Sequence, residues 1–139
     1  MDKKKLITAA LLARENSYAP YSEYNVGAAL LCDDDTIVQG SNIENASYGA
    51  TICAERCAVF KAVSSGCTSF KAIAIVGGRS NELDVMSDYA YPCGMCRQVL
   101  REFSDPSEFK IIVARSITDF KEYTLEELLP ESFGPDHVK

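Results

Sequence analysis

The stretch Lys71-Ala72-Ile73-Ala74-Ile75-Val76 decides the fold, because it is a short apolar run between two segments of helical composition. A run of this kind is typical of a strand that is buried on both faces of a sheet. The helical segments are residues 53–64 before it and residues 93–103 after it. Strands that alternate with helices indicate an α/β domain in which helices pack on a sheet.

The other segments fit the same organisation. Residues 4–16 are rich in Leu and Ala and predict a first helix. A short last helix is expected at residues 124–129, where Thr124 and Glu127 have the spacing of a capping box. The remaining strands are expected at residues 26–31, 36–39, 109–114 and 120–123. We find no repeat or linker, so we expect residues 1–139 to form one domain.

The charge and the hydropathy pattern exclude several classes of protein. The chain has 14 Lys and Arg residues against 20 Asp and Glu residues, a formal net charge of −6. Sequence-independent affinity for nucleic acids comes from Lys and Arg, so we expect no nucleic-acid partner. No apolar run approaches the roughly 18 residues that a membrane span needs, so we expect no membrane partner.

The amino-terminal residues superficially mimic a short signal peptide, because Lys residues precede an apolar stretch. A Thr within that stretch and Arg14-Glu15 directly after it favour an amphipathic helix instead. We therefore expect a cytoplasmic protein. In a reducing compartment its six cysteines do not form disulfides, so their spacing becomes informative.

Two cysteines stand close together at Cys93-Gly94-Met95-Cys96, directly after Pro92 and at the start of a predicted helix. The free N–H groups and the dipole of a helix start stabilise thiolates. A Cys-x-x-Cys pair alone fits a metal site, thiol redox chemistry or inert buried cysteines. The redox interpretation needs a pair directly after an early strand, which the order of elements does not provide.

A third cysteine favours the metal site. Cys53 opens its own predicted helix, and three thiolates from two helix starts suit a zinc ion. Three protein ligands are typical of catalytic zinc, whereas four are typical of structural zinc. Cys57 lies one helical turn, about 5.4 Å, after Cys53, so the two sulfur atoms could reach one ion only awkwardly. We therefore assign Cys57 to the core with Cys32 and Cys67, because free cysteines are commonly buried. A non-enzymatic zinc module with Cys57 as fourth ligand stays open as an alternative.

Charged residues flank the proposed ligands. Glu55 follows Cys53 by two residues, where a carboxylate can take a proton from zinc-activated water and deliver it to a substrate. We therefore predict Glu55 as the catalytic residue; compensation of the helix dipole is the plainer interpretation. Three thiolates leave the zinc site with a negative net charge. We predict that Arg56, Arg97 or both donate hydrogen bonds to the ligand sulfurs, whereas solvent exposure is the alternative.

Cys53-Ala54-Glu55 together with Pro92-Cys93-Gly94-Met95-Cys96 resembles the zinc-dependent cytidine deaminases of the small homotetrameric class. The resemblance extends in order along nearly the whole chain. The further stretches that carry it are Tyr18-Ala19-Pro20-Tyr21-Ser22, Val26-Gly27-Ala28-Ala29-Leu30, Asn42-Ile43-Glu44-Asn45, Cys96-Arg97-Gln98 and Glu127-Leu128-Leu129-Pro130.

The resemblance implies a three-layer α-β-α sandwich around a mixed five-stranded sheet, and a bound Zn²⁺ ion. The implied reaction is the hydrolysis of cytidine or deoxycytidine to uridine or deoxyuridine plus ammonia, a step of pyrimidine salvage. The implied assembly is a homotetramer whose active sites are shared between subunits. The positions that match the family's substrate-binding residues are Tyr24, Asn42, Glu44, Tyr48, Ala54 and Phe133.

The chain departs from the family pattern in two places. Tyr24 stands where the family usually has Phe as the stacking partner of the pyrimidine, and residues 78–91 form a longer segment than usual before Pro92. Both departures bear on substrate choice, so a deaminase of a related nucleoside such as blasticidin S is the alternative. Asn42 and Glu44 favour an ordinary ribose. The absence of a basic stripe disfavours polynucleotide substrates.

Overall fold

Five strands form one mixed sheet in the computed structural model, which describes residues 1–139. The strands are β1 (Tyr24–Cys32), β2 (Ile37–Ser41), β3 (Phe70–Arg79), β4 (Lys110–Ala114) and β5 (Phe120–Thr124). Their order across the sheet is β2-β1-β3-β4-β5. β3 and β4 are parallel, and every other neighbouring pair is antiparallel, which confirms the predicted mixed sheet.

Helices cover both faces of this sheet. They are α1 (Lys3–Arg14), α2 (Ala54–Ser64), α3 (Gly94–Glu102) and α4 (Leu125–Leu128). One apolar cluster joins α1 to one face, and a second joins α2, α3 and α4 to the other. Because both faces are buried, the central strands are apolar along their length. The predicted three-layer α-β-α architecture is confirmed. None of the helices is long and apolar enough to cross a membrane.

Glycines allow two helices to approach the sheet closely. An added Cβ at Gly27 in β1 would lie 2.5 Å from the backbone nitrogen of Arg14, at the end of α1. An added Cβ at Gly40 in β2 would lie 2.5 Å from the carbonyl oxygen of Ala54 and from the nitrogen of Ala58. Carbon atoms prefer separations of about 3.5 to 4 Å, so only glycine permits this spacing. Gly40 therefore fixes the position at which α2 begins.

The sequence predicts no element for residues 77–91, and the structure extends β3 into this segment as far as Arg79. Gly77 pairs with Val26 and Gly78 with Asn25 on β1. Glycine is weakly favoured in strands, but packing requires it here. An added Cβ at Gly77 would lie 2.7 Å from the Cβ of Ala90.

One arginine anchors the segment that follows β3. Arg14 is 6% exposed and its guanidinium donates hydrogen bonds of 2.5 to 3.0 Å to the carbonyl oxygens of Asn25, Gly78, Arg79 and Glu82. The last residue of α1 thereby holds β1 and the turn after β3 together. The start of the segment of residues 78–91 is thereby tied to the helical layer on the face of the sheet opposite α2.

Candidate active site

Three cysteines meet between the starts of α2 and α3. Cys53 is the N-cap of α2 and Cys93 is the N-cap of α3, but neither side chain makes a capping hydrogen bond. Cys96 lies in the first turn of α3. The three Sγ atoms lie within 4.8 Å of one another, with 3.9 Å between Cys53 and Cys93 and 3.4 Å between Cys93 and Cys96. The structure therefore brings the three predicted ligands together.

The spacing of the sulfur atoms fits a tetrahedral zinc ion. Zn–S bonds of about 2.3 Å at tetrahedral angles place neighbouring sulfur atoms about 3.8 Å apart. The Cys53–Cys93 and Cys93–Cys96 distances of 3.9 and 3.4 Å lie on either side of this value. Cys57 is not part of the group, so the chain offers three ligands rather than four. A site with three protein ligands keeps one coordination position for water or substrate.

Arg56 contacts the cysteine group from the first turn of α2. Its Nη2 donates a hydrogen bond of 3.4 Å to Cys53 Sγ, as predicted. The Cys96 thiol and the Arg56 guanidinium lower the pKa of Cys53 to about 5, while burial acts in the opposite direction. Arg56 Nε is buried without a hydrogen-bond partner. A positive charge held beside the sulfurs offsets part of the negative charge of the thiolates.

Arg97 does not take the predicted position at the sulfurs. Its Nε donates a hydrogen bond of 2.7 Å to the carbonyl oxygen of Pro92, and its Nη1 donates one of 2.6 Å to that of Leu128. Each residue of an α-helix turns the side-chain direction by about 100°, so Arg97 points away from the sulfur of Cys96. It fixes the backbone directly before Cys93 and links the start of α3 to the end of α4.

Glu55 lies in the first turn of α2 and is 5% exposed. Burial raises the pKa of its carboxyl group to about 7, and the charge of the Cys53 thiolate acts in the same direction. A carboxylate that only compensates a helix dipole gains nothing from such burial. A carboxyl group with a pKa near neutrality both accepts and donates protons at the working pH of most enzymes.

A cavity of about 350 Å³ opens beside the cysteine group. Its size is near the lower end of the range for small-molecule sites, about 300 to 1,000 Å³, and most of its lining is apolar. Six residues singled out by the sequence line it, namely Tyr24, Asn42, Cys53, Ala54, Glu55 and Cys93. Two of the three proposed metal ligands and the predicted carboxylate therefore face the same small cavity, while Cys96 lies buried behind it.

The sequence reasoning missed one wall of this cavity, which Tyr89, Ala90 and Tyr91 provide. The Tyr89 hydroxyl donates a hydrogen bond to the carboxylate of Asp119. The hydroxyls of Tyr91 and Tyr123 lie 3.3 Å apart. The available signal was the position of two aromatic residues directly before Pro92. Their partners on and near β5 could not be inferred, because they lie about thirty residues away in the chain.

Asn42 reaches the cavity, but the chain itself holds its side chain. The amide nitrogen donates a hydrogen bond of 2.8 Å to the carbonyl oxygen of Tyr24, and the amide oxygen accepts one of 2.9 Å from the Val26 N–H. The hydroxyl of Ser17 also donates to the amide oxygen. Asn42 therefore positions the start of β1, including Tyr24, and presents a fixed amide at the edge of the cavity.

Three of the predicted substrate-binding residues lie outside the cavity of a single chain. Glu44 accepts hydrogen bonds from the backbone N–H groups of Tyr21 and Ser22 and from the Ser22 hydroxyl, which lower the pKa of its carboxyl group. Tyr48 is 75% exposed and Phe133 is 60% exposed. The chain alone does not bring these side chains to the cysteine group.

The fold and the site together define a class of enzyme, the zinc-dependent hydrolases that pair a three-ligand metal site with a buried carboxylate. A family model described as the cytidine and deoxycytidylate deaminase zinc-binding region matches residues 1–112. This match covers most of the chain, and it includes all three cysteines and Glu55. The protein belongs to this family of zinc-binding deaminases.

Named relatives agree with this assignment. The cytidine deaminases of Halalkalibacterium halodurans and Sporosarcina psychrophila are each 46% identical to the chain over 138 residues, which cover 99% of it and 98% and 96% of their own lengths. The crystal structure of cytidine deaminase from Burkholderia pseudomallei superposes with a TM-score of 0.85 at 41% identity, covering 96% of this chain and all of that one. The crystal structure of cytidine deaminase from Mycobacterium tuberculosis superposes with a TM-score of 0.80 at 37% identity, covering 96% of this chain and 98% of that one.

Proposed function

We propose that the protein hydrolyses cytidine or deoxycytidine to uridine or deoxyuridine with release of ammonia, as a step of pyrimidine salvage. The observation that carries this proposal is the buried carboxylate of Glu55 beside three cysteines at one cavity. Relatives that are 46% identical over 138 residues are named cytidine deaminases, so the alternative of a blasticidin S deaminase is not favoured.

The residues of the cavity divide the chemistry between them. Cys53, Cys93 and Cys96 would hold a zinc ion, which would supply a water molecule of lowered pKa that is nucleophilic at neutral pH. Glu55 takes the proton released by this water and delivers it to the ring nitrogen of the pyrimidine. It then takes the remaining proton of the added hydroxyl group and delivers it to the amino group, which leaves as ammonia while the ring carbon becomes a carbonyl. A pKa of about 7 for Glu55 suits a group that must both gain and lose protons during each turnover.

The lining of the cavity favours a nucleoside over a nucleotide. None of the lining residues is Lys or Arg, whereas a bound phosphate is usually paired with such a residue. Tyr24 offers a ring face on which a pyrimidine can stack, and Ala54 leaves room beside Cys53. Asn42 offers its amide to the sugar. Tyr24 is half-buried at the start of β1 and lines the cavity.

The exposed residues support a homotetramer with shared active sites. Glu44, Tyr48 and Phe133 match positions of substrate-binding residues but lie outside the cavity of their own chain. Tyr48 and Phe133 are large, and both are mostly exposed in the single chain. We expect a neighbouring subunit to cover them and to complete the site. Multi-angle light scattering measures the mass of the assembly. If subunits share active sites, kcat is expected to fall when the protein is diluted below the dissociation constant of the tetramer.

The location and the remaining partners follow from charge and cysteine chemistry. All six cysteines are free, which supports a reducing compartment such as the cytoplasm. The net charge of −6 supports the absence of a nucleic-acid partner. We treat residues 1–139 as one domain, because a single sheet runs through the chain. Labelled single-stranded DNA at physiological salt is expected not to bind.

The decisive experiment is the substitution Glu55→Gln, with Glu126→Gln, at an exposed position on α4, as its control. Glu55→Gln is expected to retain zinc and to lose turnover of cytidine by at least about 100-fold, because proton transfer contributes this much. A non-enzymatic zinc module would show no turnover in the parent protein. A thiol oxidoreductase would work without zinc and would fail on alkylation of Cys93. Turnover by Glu55→Gln at the parent rate would contradict the proposal.

A further inference from the structure

A second group of potential metal ligands lies at the other end of β1 from the cavity. It consists of Cys32 at the end of β1, Asp34 in the turn to β2, and Cys67 between α2 and β3. One ligand atom from each residue lies within 4.8 Å of the other two, and Cys67 Sγ is 4.0 Å from Asp34 Oδ2. Like the cysteines at the cavity, the group contains one buried, one partly buried and one exposed residue.

Backbone hydrogen bonds fix the segments that carry these ligands. The Cys32 N–H donates to the Thr36 carbonyl oxygen at 2.9 Å, and the Cys67 N–H donates to that of Ala62 at 2.9 Å. The Thr36 N–H donates to Asp34 Oδ1 at 3.0 Å. Asp34 Oδ1 is thereby occupied, and Oδ2 is left facing Cys67. The geometry of the group is therefore determined by the fold rather than by chance contacts of free side chains.

Asp34 is the carboxylate of this turn that lies beside the two cysteines. The neighbouring Asp33 accepts a hydrogen bond from the Ser69 hydroxyl, and Asp35 forms an ion pair of 2.8 Å with Lys71. Three successive aspartates nevertheless make the surroundings acidic, which favours the approach of a cation. Solvent reaches the group from the exposed side of Asp34, while Cys32 forms its buried floor.

We propose that Cys32, Asp34 and Cys67 bind a second zinc ion, which joins the β1–β2 turn to the segment between α2 and β3. Thiolates and carboxylates are both zinc ligands, and water would complete the coordination. Binding releases the protons of both thiols. This site is separate from the deaminase site, because the nine residues of β1 place its two ends about 26 Å apart.

The second site is expected to bind zinc more weakly than the cysteines at the cavity. Tetrahedral zinc requires neighbouring sulfur atoms about 3.8 Å apart, so atoms separated by up to 4.8 Å must close in by as much as about 1 Å. The exposed turn at Asp34 can supply the movement.

Zinc counting on matched variants tests the proposal. The parent protein and each variant are dialysed against the same chelator-buffered zinc, and bound zinc per chain is measured by atomic emission. We expect about two ions per chain in the parent and about one in Cys67→Ser. Asp34→Asn keeps the acceptor for the Thr36 N–H and is expected to raise the dissociation constant of the second ion at least about tenfold. Cys57→Ser, which alters a partly buried cysteine outside both groups, is expected to bind two.

A further variant separates this site from the deaminase site. Cys93→Ser removes an exposed ligand of the first site, and we expect it to retain one ion that is lost when Cys67→Ser is added. Zinc is also expected to raise the Tm of the parent protein more than that of Cys67→Ser. Equal zinc content in the parent and Cys67→Ser, whether one ion or two, would overturn the proposal. The loss of an ion in Cys57→Ser would do the same.

Discussion

Replacement of Gly40 with Ala is expected to disturb the active site from the strand beneath α2. The added Cβ would lie 2.5 Å from the carbonyl oxygen of Ala54, whereas a relaxed contact is about 3.5 Å. The start of α2 must therefore move by about 1 Å. Ala54 is the first residue of α2, so this movement falls on the turn that carries Cys53 and Glu55.

The size of the effect follows from this displacement. Metal–ligand distances tolerate deviations of about 0.2 Å, so a movement of about 1 Å weakens zinc binding. A misplacement of about 1 Å between reacting groups lowers rates about 100-fold. Overpacking of a close contact costs about 1 to 3 kcal/mol. We therefore expect Gly40→Ala to reduce kcat/KM about 100-fold while its free energy of unfolding falls by about 2 kcal/mol.

Gly27→Ala is the matched control for this prediction. Its Cβ would lie 2.0 Å from the carbonyl oxygen of Ala10 and 2.5 Å from the nitrogen of Arg14, so it creates a contact at least as close, but with α1 on the opposite face. We expect a loss in the free energy of unfolding that is at least as large, measured by urea denaturation. We expect the retention of zinc against a competing chelator to be unchanged. Cytidine turnover and zinc retention are measured on both variants. Parent-like values of both in Gly40→Ala would refute the link between helix spacing and metal geometry.

Three further predictions concern the surroundings of the cavity. Arg14→Ala leaves four carbonyl acceptors without their donor, so we expect urea denaturation to show a loss of at least about 3 kcal/mol and steady-state kinetics to show a raised KM. The Tyr89 hydroxyl and the Arg115 guanidinium hold the pKa of Asp119 below its ordinary value. The ionised carboxylate therefore stabilises the fold above its unfolded pKa of about 3.9, and this contribution is lost as the pH falls through the folded value. Asp119→Asn should thus lower the urea midpoint at about pH 7 and match the parent near pH 2; a constant difference would contradict this assignment. Tyr24→Phe keeps the ring face and removes a hydroxyl without a hydrogen-bond partner in the chain, so kcat/KM for cytidine should change less than about threefold.

The sequence predicts the elements of this fold well where hydrophobic pattern and helix-start chemistry act locally. The apolar residues 71–76 lie in β3, and Thr124 and Glu127 form the predicted capping box. The extension of β3 through Gly77 could not be predicted, because glycine is required there by packing against Ala90 rather than by strand propensity. Tertiary contacts decide such positions.

The candidate site likewise combines features that the local sequence predicts with features that depend on tertiary contacts. The spacing of Cys53, Cys93 and Cys96 predicts a group that the structure assembles, because each ligand lies at or near a helix start. The direction of Arg97 could not be predicted, since it depends on the carbonyl oxygen of Leu128 on a distant helix. The proximity of Cys32 and Cys67 is equally hidden, because the chain between them passes through β2 and α2. Contacts between residues that are far apart in the chain cannot be inferred from the spacing of residues within a short segment.

The absence of capping hydrogen bonds at Cys53 and Cys93 has a consequence for the metal-free protein. Helix starts without a capping side chain fray most readily, and a zinc ion held by Cys53 and Cys93 would join the two helix starts. Removal of the zinc ion by a chelator would therefore remove the link between the starts of α2 and α3. Amide hydrogen exchange should then accelerate first in the opening turns of α2 and α3, while the central strands stay protected. A zinc ion held by Cys53, Cys93 and Cys96 would thereby also preserve the shape of the cavity beside them.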